Sequence, residues 1–250
     1  MFKIPFLLIL IIVIASSAVI NNLLPYCNQA LNNDYTGERL DNYINKNFNK
    51  IPKTLQEELI KSSYLIHENT TKSKILQYKN EILDPAYPYL GNENSNVIAV
   101  GFFDYSCKYC KAIKDNIKQL INDGKIKYIF RDTPILGNNS LKAAKSALAI
   151  YFIDKRKYFD FHYAALDYKR ELLDENILDI VKSTGINEND FNKSMKNNVD
   201  KIEQMINNSK FLVKKLGVGG TPFLIIGDSL FIGATDLDIL RKKVDELSHK

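Results

Sequence analysis

An unbroken apolar run, Val97 to Phe103, stops at Asp104-Tyr105-Ser106 and gives way to a Cys-x-x-Cys, Cys107 to Cys110, that opens an amphipathic helix pattern. No other stretch limits the fold so tightly. A continuous run, rather than an alternating one, suits a strand buried on both faces of a sheet. After the cysteines, Ala112, Ile113, Ile117, Leu120 and Ile121 form one apolar stripe, with Lys111, Lys114, Asp115 and Lys118 between them and Gly124 placed to end it. Cys107 therefore sits at a helix mouth, where unpaired backbone N–H groups and the dipole favour a thiolate. Two intervening residues let both sulfurs meet across the first helical turn, so a Cys107–Cys110 disulfide closes with modest strain. Cys107 is expected to be the exposed nucleophile, with Lys108 as a cationic helper. Cys110, a turn inward, is expected to be the resolving thiol.

A second strand pattern, Lys125 to Arg131, follows the helix, and strand–helix–strand implies parallel pairing with a right-handed crossover. Helical patterns then fill Ser140 to Leu216 in four pieces: Ala143–Phe152, Tyr158–Tyr168, Glu175–Ser183 and Val199–Leu216. Gly217-Val218-Gly219-Gly220-Thr221-Pro222 leads into a hairpin, Phe223–Ile226 and Leu230–Ile232, turning at Gly227-Asp228. A last helix pattern covers Leu237 to Leu247.

The N-terminal end is of another kind. Lys3 precedes an apolar run, Ile4 to Ile20, with small residues around Ala15-Ser16-Ser17-Ala18, the form of a secretory signal peptide over residues 1–21. Cleavage near Ala18 is the expectation, and an uncleaved N-terminal anchor is the alternative. Either way the remainder is exported, with the periplasm as its compartment, which suits cysteines that handle disulfides. Residues 22–85 read as a polar, Asn-rich linker followed by a helical extension, Thr54–Ile66 and Thr71–Leu83, closed by Pro85 and Pro88. Such an extension must cover its apolar face on the main domain or on copies of itself, so self-association through 54–83 is one of two expectations. Cys27 reads as an incidental thiol in the leader.

Composition removes several classes. The 250 residues are 45% hydrophobic and 25% charged, an ordinary globular balance. A net charge of +5 without a basic cluster gives no nucleic-acid footprint. Three cysteines are too few for a disulfide scaffold. Zinc would need two more ligands from Cys27, His67, His162 and His249, none of which forms a second close pair, so no metal and no cofactor are expected. The Gly217–Gly220 loop lacks the Lys-Ser/Thr of a phosphate cradle.

From about Leu90 onward the sequence resembles the DsbA-type disulfide oxidoreductases of the thioredoxin fold. The likeness rests on Phe102-Phe103-Asp104-Tyr105-Ser106-Cys107-Lys108-Tyr109-Cys110, on Phe130-Arg131-Asp132-Thr133-Pro134-Ile135-Leu136, on the helix carrying Ala143, Ala144, Ala147 and Ala149, and on Gly219-Gly220-Thr221-Pro222. It implies an α/β thioredoxin fold over 86–250, with a helical insertion at about 138–216. It also implies a cis Pro222 that faces the cysteines and forms, with Thr221, a backbone wall for substrate peptide. Cysteine-containing exported proteins are the implied substrates, and a membrane redox partner must reoxidise the pair. The resemblance leaves open an oligomeric isomerase or reductase, and a secreted binding or chaperone module is a reading from another class. Two positions depart from the family: Lys108-Tyr109 replaces its usual Pro-His or Pro-Tyr, and Gly101 stands where many relatives keep a buried carboxylate. Asp104 is expected to shape the loop or cap the helix, and His162 to lie on a helix surface or be partly packed.

Overall fold

The computed structural model describes Asn49 and residues 53–249. The signal segment, most of the linker and Cys27 lie outside the described residues. The chain divides into two compact units, Met1–Thr70 and Thr71–Lys250. Helix α1 (Lys53–Gln77) supplies nearly all that is described of the first. The two helices expected in this region are one, because His67-Glu68-Asn69-Thr70 contains no Gly or Pro to break it; a single-turn α2 (Lys79–Ile82) follows. Among the described residues no helix is long and apolar enough to cross a membrane.

The second unit is built on a five-stranded sheet, order β1-β3-β2-β4-β5, with β1 (Tyr89–Gly91), β2 (Ile98–Phe103), β3 (Lys127–Asp132), β4 (Phe223–Ile226) and β5 (Ser229–Ile232). The unbroken run becomes the central strand β2, parallel to β3 on one side and antiparallel to β4 on the other. Helix α3 (Lys108–Asn122) makes the crossover and buries Cys110, Ile113, Ile117, Leu120 and Ile121, while Ala112 faces solvent. Strand β1 was not legible: three residues carry no period, and pairing with the edge of β3 makes them a strand.

Register sorts side chains between the two faces. Ala99, Gly101 and Phe103 of β2 lie beside Tyr128, Phe130 and Asp132 of β3, on the face toward α3. Phe102 lies beside Arg131 on the other face, where the buried guanidinium donates to the Glu81 carbonyl at 2.9 Å and stacks 3.5 Å from the centre of the Tyr87 ring.

Five helices lie between β3 and β4: α4 (Asn138–Tyr151), α5 (Lys155–Asp167), α6 (Asp174–Ser183), α7 (Glu188–Asn197) and α8 (Val199–Leu216). Ala143, Ala144, Ala147 and Ala149 of α4 are fully buried, and their small size lets α5 and α8 approach closely. Helix α7 is an addition to the predicted set. Gly185-Ile186-Asn187 reads as a break, yet the Asn187 side chain accepts from the Asp190 amide at 2.9 Å and so starts a helix. The last helix, α9 (Leu237–Ser248), packs on α3.

Gly101 is the tightest position in the sheet. A Cβ there would overlap the hydroxyl of Tyr128, which reaches over it from β3. Gly101→Ala is expected to lower stability by about 2 kcal/mol through overpacking, measured as a lower urea midpoint at unchanged m-value.

Candidate active site

The loop that delivers the cysteines is held by one carboxylate. Asp104, 1% exposed, follows β2 directly. Its Oδ1 accepts from the Ser106 amide at 2.8 Å and the Ser140 hydroxyl at 2.6 Å, and its Oδ2 accepts from the Ile135 and Leu136 amides at 2.8 and 3.0 Å. Both oxygens are thus spent on tying the cysteine loop to the β3–α4 connection and to α4, the loop-forming role expected of this residue. Its carbonyl accepts from the Cys107 amide at 3.0 Å and its amide donates to Cys110 Sγ at 3.5 Å.

Cys107 is the N-cap residue of α3, in extended backbone, and both cysteines are free thiols. Its Sγ donates to the Thr221 carbonyl at 3.1 Å, across a Thr221–Pro222 peptide that is cis. The structure thus brings Cys107, Cys110, Thr221 and Pro222 together. It differs on exposure: Cys107 is only 5% exposed, because the Thr221 backbone lies over the sulfur.

The two thiols feel opposite fields. A hydrogen bond from Cys110 lowers Cys107 to about 6, outweighing burial, with further help from Thr221 and the amides of Cys110 and Tyr109. Lys108, the expected cationic helper, is not among these causes. Cys110 is pushed far above the usual thiol range, first by burial and then by its neighbour Cys107. Thr221 also lowers both sulfurs, and its hydroxyl is buried without a hydrogen-bond partner among the described residues.

Beneath the loop the aromatic run around His162, which reads from the sequence as core of the insertion, packs with polar partners that sequence reasoning missed. His162, expected at a helix surface or partly packed, is 4% exposed among Phe103, Tyr105, Phe130 and Tyr158, and burial lowers it to about 3. Its aromatic neighbours in Tyr158-Phe159-Asp160-Phe161-His162-Tyr163 were the available signal. Tyr105 Oη and His162 Nδ1 lie 3.3 Å apart, and Tyr158 donates to Asp132 Oδ2 at 2.8 Å. Burial raises Asp132 to about 7.

Two openings adjoin the cysteines. A cleft of about 410 Å³ runs along the loop, lined by Tyr105, Ser106, Lys111, Leu136 and Arg170 among others. A cavity of about 30 Å³ lies behind Cys110, on the α3 face of the sheet. Among the described residues no group of His, Cys, Asp and Glu is arranged to hold a metal ion.

Comparison with known proteins agrees with this geometry. The family model described as thioredoxin matches residues 84–246. The thiol-disulfide exchange protein alpha-DsbA2 from Wolbachia pipientis is 77% identical, covers 72% of this chain over 97% of its own, and superposes with a TM-score of 0.71. The catalytic domain of ScsC from Proteus mirabilis is 26% identical over 72% of this chain and 99% of its own, with a TM-score of 0.64. Disulfide bond formation protein D of Bacillus subtilis (strain 168) is 25% identical over 171 residues, 64% of this chain and 76% of the relative. The chain belongs to the thioredoxin family, as a DsbA-like thiol–disulfide oxidoreductase. That sets aside the reading as a binding module with a merely structural cysteine pair.

The lowered thiol has a direct readout. With Cys107 ionising at about 6, its alkylation by iodoacetamide should rise about tenfold from pH 5 to pH 7 and then level off. An ordinary thiol would still be climbing steeply at pH 8.

Proposed function

We propose that the protein is exported to the periplasm and donates its Cys107–Cys110 disulfide to folding proteins. A substrate thiolate attacks Cys107 Sγ; the bond between Cys107 and Cys110 breaks, and Cys110 takes up a proton. The second substrate thiolate then attacks its own sulfur in the mixed disulfide, which closes the substrate disulfide and releases Cys107 as a thiolate. In this reading Cys107 is the nucleophile, Cys110 the resolving thiol, and the Thr221–Pro222 backbone pairs with extended substrate beside the cleft. A membrane redox partner restores the disulfide. The observation that carries the reading is the split between the sulfurs, one a ready leaving group at about 6 and the other held protonated. Similarity to the Bacillus subtilis disulfide bond formation protein D supports the oxidising direction.

A second reading, an oligomeric isomerase, draws on α1, where Tyr64, Leu65 and Leu76 are 71%, 48% and 72% exposed. Large apolar groups exposed along one helix suit self-association through 54–83. Gel filtration of the full chain against a Tyr64→Lys/Leu65→Lys variant separates the two: an oligomer that the variant dissolves favours the isomerase, and a monomer favours the oxidase.

Refolding of a reduced two-cysteine substrate tests the chemistry. Cys107→Ser is expected to bring disulfide formation down to the uncatalysed rate. Cys110→Ser, given a substrate that already carries a disulfide, is expected to accumulate substrate covalently bound at Cys107. The Cys107 thiolate opens that disulfide, releases one substrate thiolate and finds no Cys110 to resolve the mixed disulfide; the adduct is visible on non-reducing gels.

A further inference from the structure

The small cavity behind Cys110 holds a group the exchange chemistry has not used. Its walls include Cys110, Tyr128, His162, Leu224 and, at the partly exposed side, Lys114 and Tyr163. Tyr128 is 4% exposed, and its hydroxyl reaches over Gly101, the one residue in β2 without a side chain to displace it. Among the described residues that hydroxyl has no protein hydrogen-bond partner. The sealed, partnerless polar atoms of the described residues belong to Arg131, Asp132 and Thr221 and not to Tyr128, so its hydroxyl oxygen is open to the cavity, where a small polar molecule can satisfy it. At about 30 Å³ the cavity has room for a water molecule, which needs polar partners on its walls.

We propose that Tyr128 is a positioning residue for proton transfer at Cys110: its hydroxyl fixes a cavity water against the Cys110 sulfur, and that water connects the buried thiol to solvent past Lys114 and Tyr163. The inference rests on Cys110 being the buried partner in exchange. Cys110 must lose a proton to attack a mixed disulfide on Cys107 and regain one whenever the Cys107–Cys110 bond opens. Among the described residues the Asp104 amide donates to its sulfur at 3.5 Å, with Cys107 and Thr221 as its other neighbours in the active site. Burial keeps Tyr128 protonated, so it acts as a donor to the water and not as the base. The water in turn donates to the Cys110 thiolate as it forms.

Adding oxidised glutathione to the reduced protein isolates the step. Cys107 thiolate attacks glutathione disulfide, forming Cys107–S–glutathione and releasing one glutathione thiolate. Cys110 then gives its proton through the cavity water to solvent and attacks Cys107 Sγ, forming the Cys107–Cys110 bond and releasing the second glutathione thiolate. Acid quenching and mass spectrometry follow both stages. Tyr128→Phe is expected to slow the second stage about tenfold, the effect of one pKa unit at Cys110, and to leave the first stage and the pH profile of Cys107 alkylation unchanged. A second stage within twofold of the native rate overturns the proposal, as does an equal slowing of both stages. Should the variant not fold, the native protein decides. A second-stage rate that falls in deuterium oxide, measured on its pH plateau, supports the water path, and one that does not fall overturns it. Cys110→Ser tests the underlying reading separately: it must stop the second stage altogether, and if it does not, the assignment of Cys110 fails and not merely that of Tyr128.

Discussion

Everything at this site depends on the fact that two sulfurs within one helical turn are solvated in opposite ways. Cys107 is the N-cap residue of α3, where the helix mouth and the neighbouring Cys110 thiol stabilise charge on it. Cys110 lies on the buried stripe of the same helix, where charge is opposed. Had the helix begun one residue later or been rotated by a third of a turn, the two environments would have been alike and the pair would have had no direction.

Asp104 keeps that from happening. Its carboxylate makes four hydrogen bonds, two within reach of the cysteine loop and the start of α4 and two to the connection after β3, so the end of β2, the mouth of α3 and the inserted helices are positioned by one buried group. Charge-assisted bonds of this kind are stronger than neutral ones and are costly to break when buried. The site is therefore framed by the helical insertion and not merely placed beside it. His162 and Tyr105 extend the contact, linking α5 to the same loop.

Much of this was legible in the residues. The apolar run of β2, the stripe of α3 and the hairpin of β4 and β5 each carry a local signature, while the cis proline was expected from the family resemblance of Gly219-Gly220-Thr221-Pro222; each is found where it was expected. What escaped was set by neighbours. Strand β1 exists because β3 has an open edge; α7 starts at an Asn that reads as a break; Cys107 is covered because Thr221 crosses it from 114 residues away. Tyr128 is the sharpest case. Gly101 in the middle of a strand signals a close approach, but its register partner on β3 is Phe130, and the side chain that reaches over it is the diagonal neighbour Tyr128.

The most direct measurement is the equilibrium of Cys107 and Cys110 with glutathione buffers, read by thiol trapping of the full chain. A thiolate stabilised at about 6 favours the reduced form, so the pair should be more oxidising than thioredoxin, whose potential is about −270 mV, and should move toward the value of about −120 mV typical of a strong oxidant. A potential at or below about −270 mV would contradict the account, because the lowered Cys107 would then give no oxidising power to the disulfide.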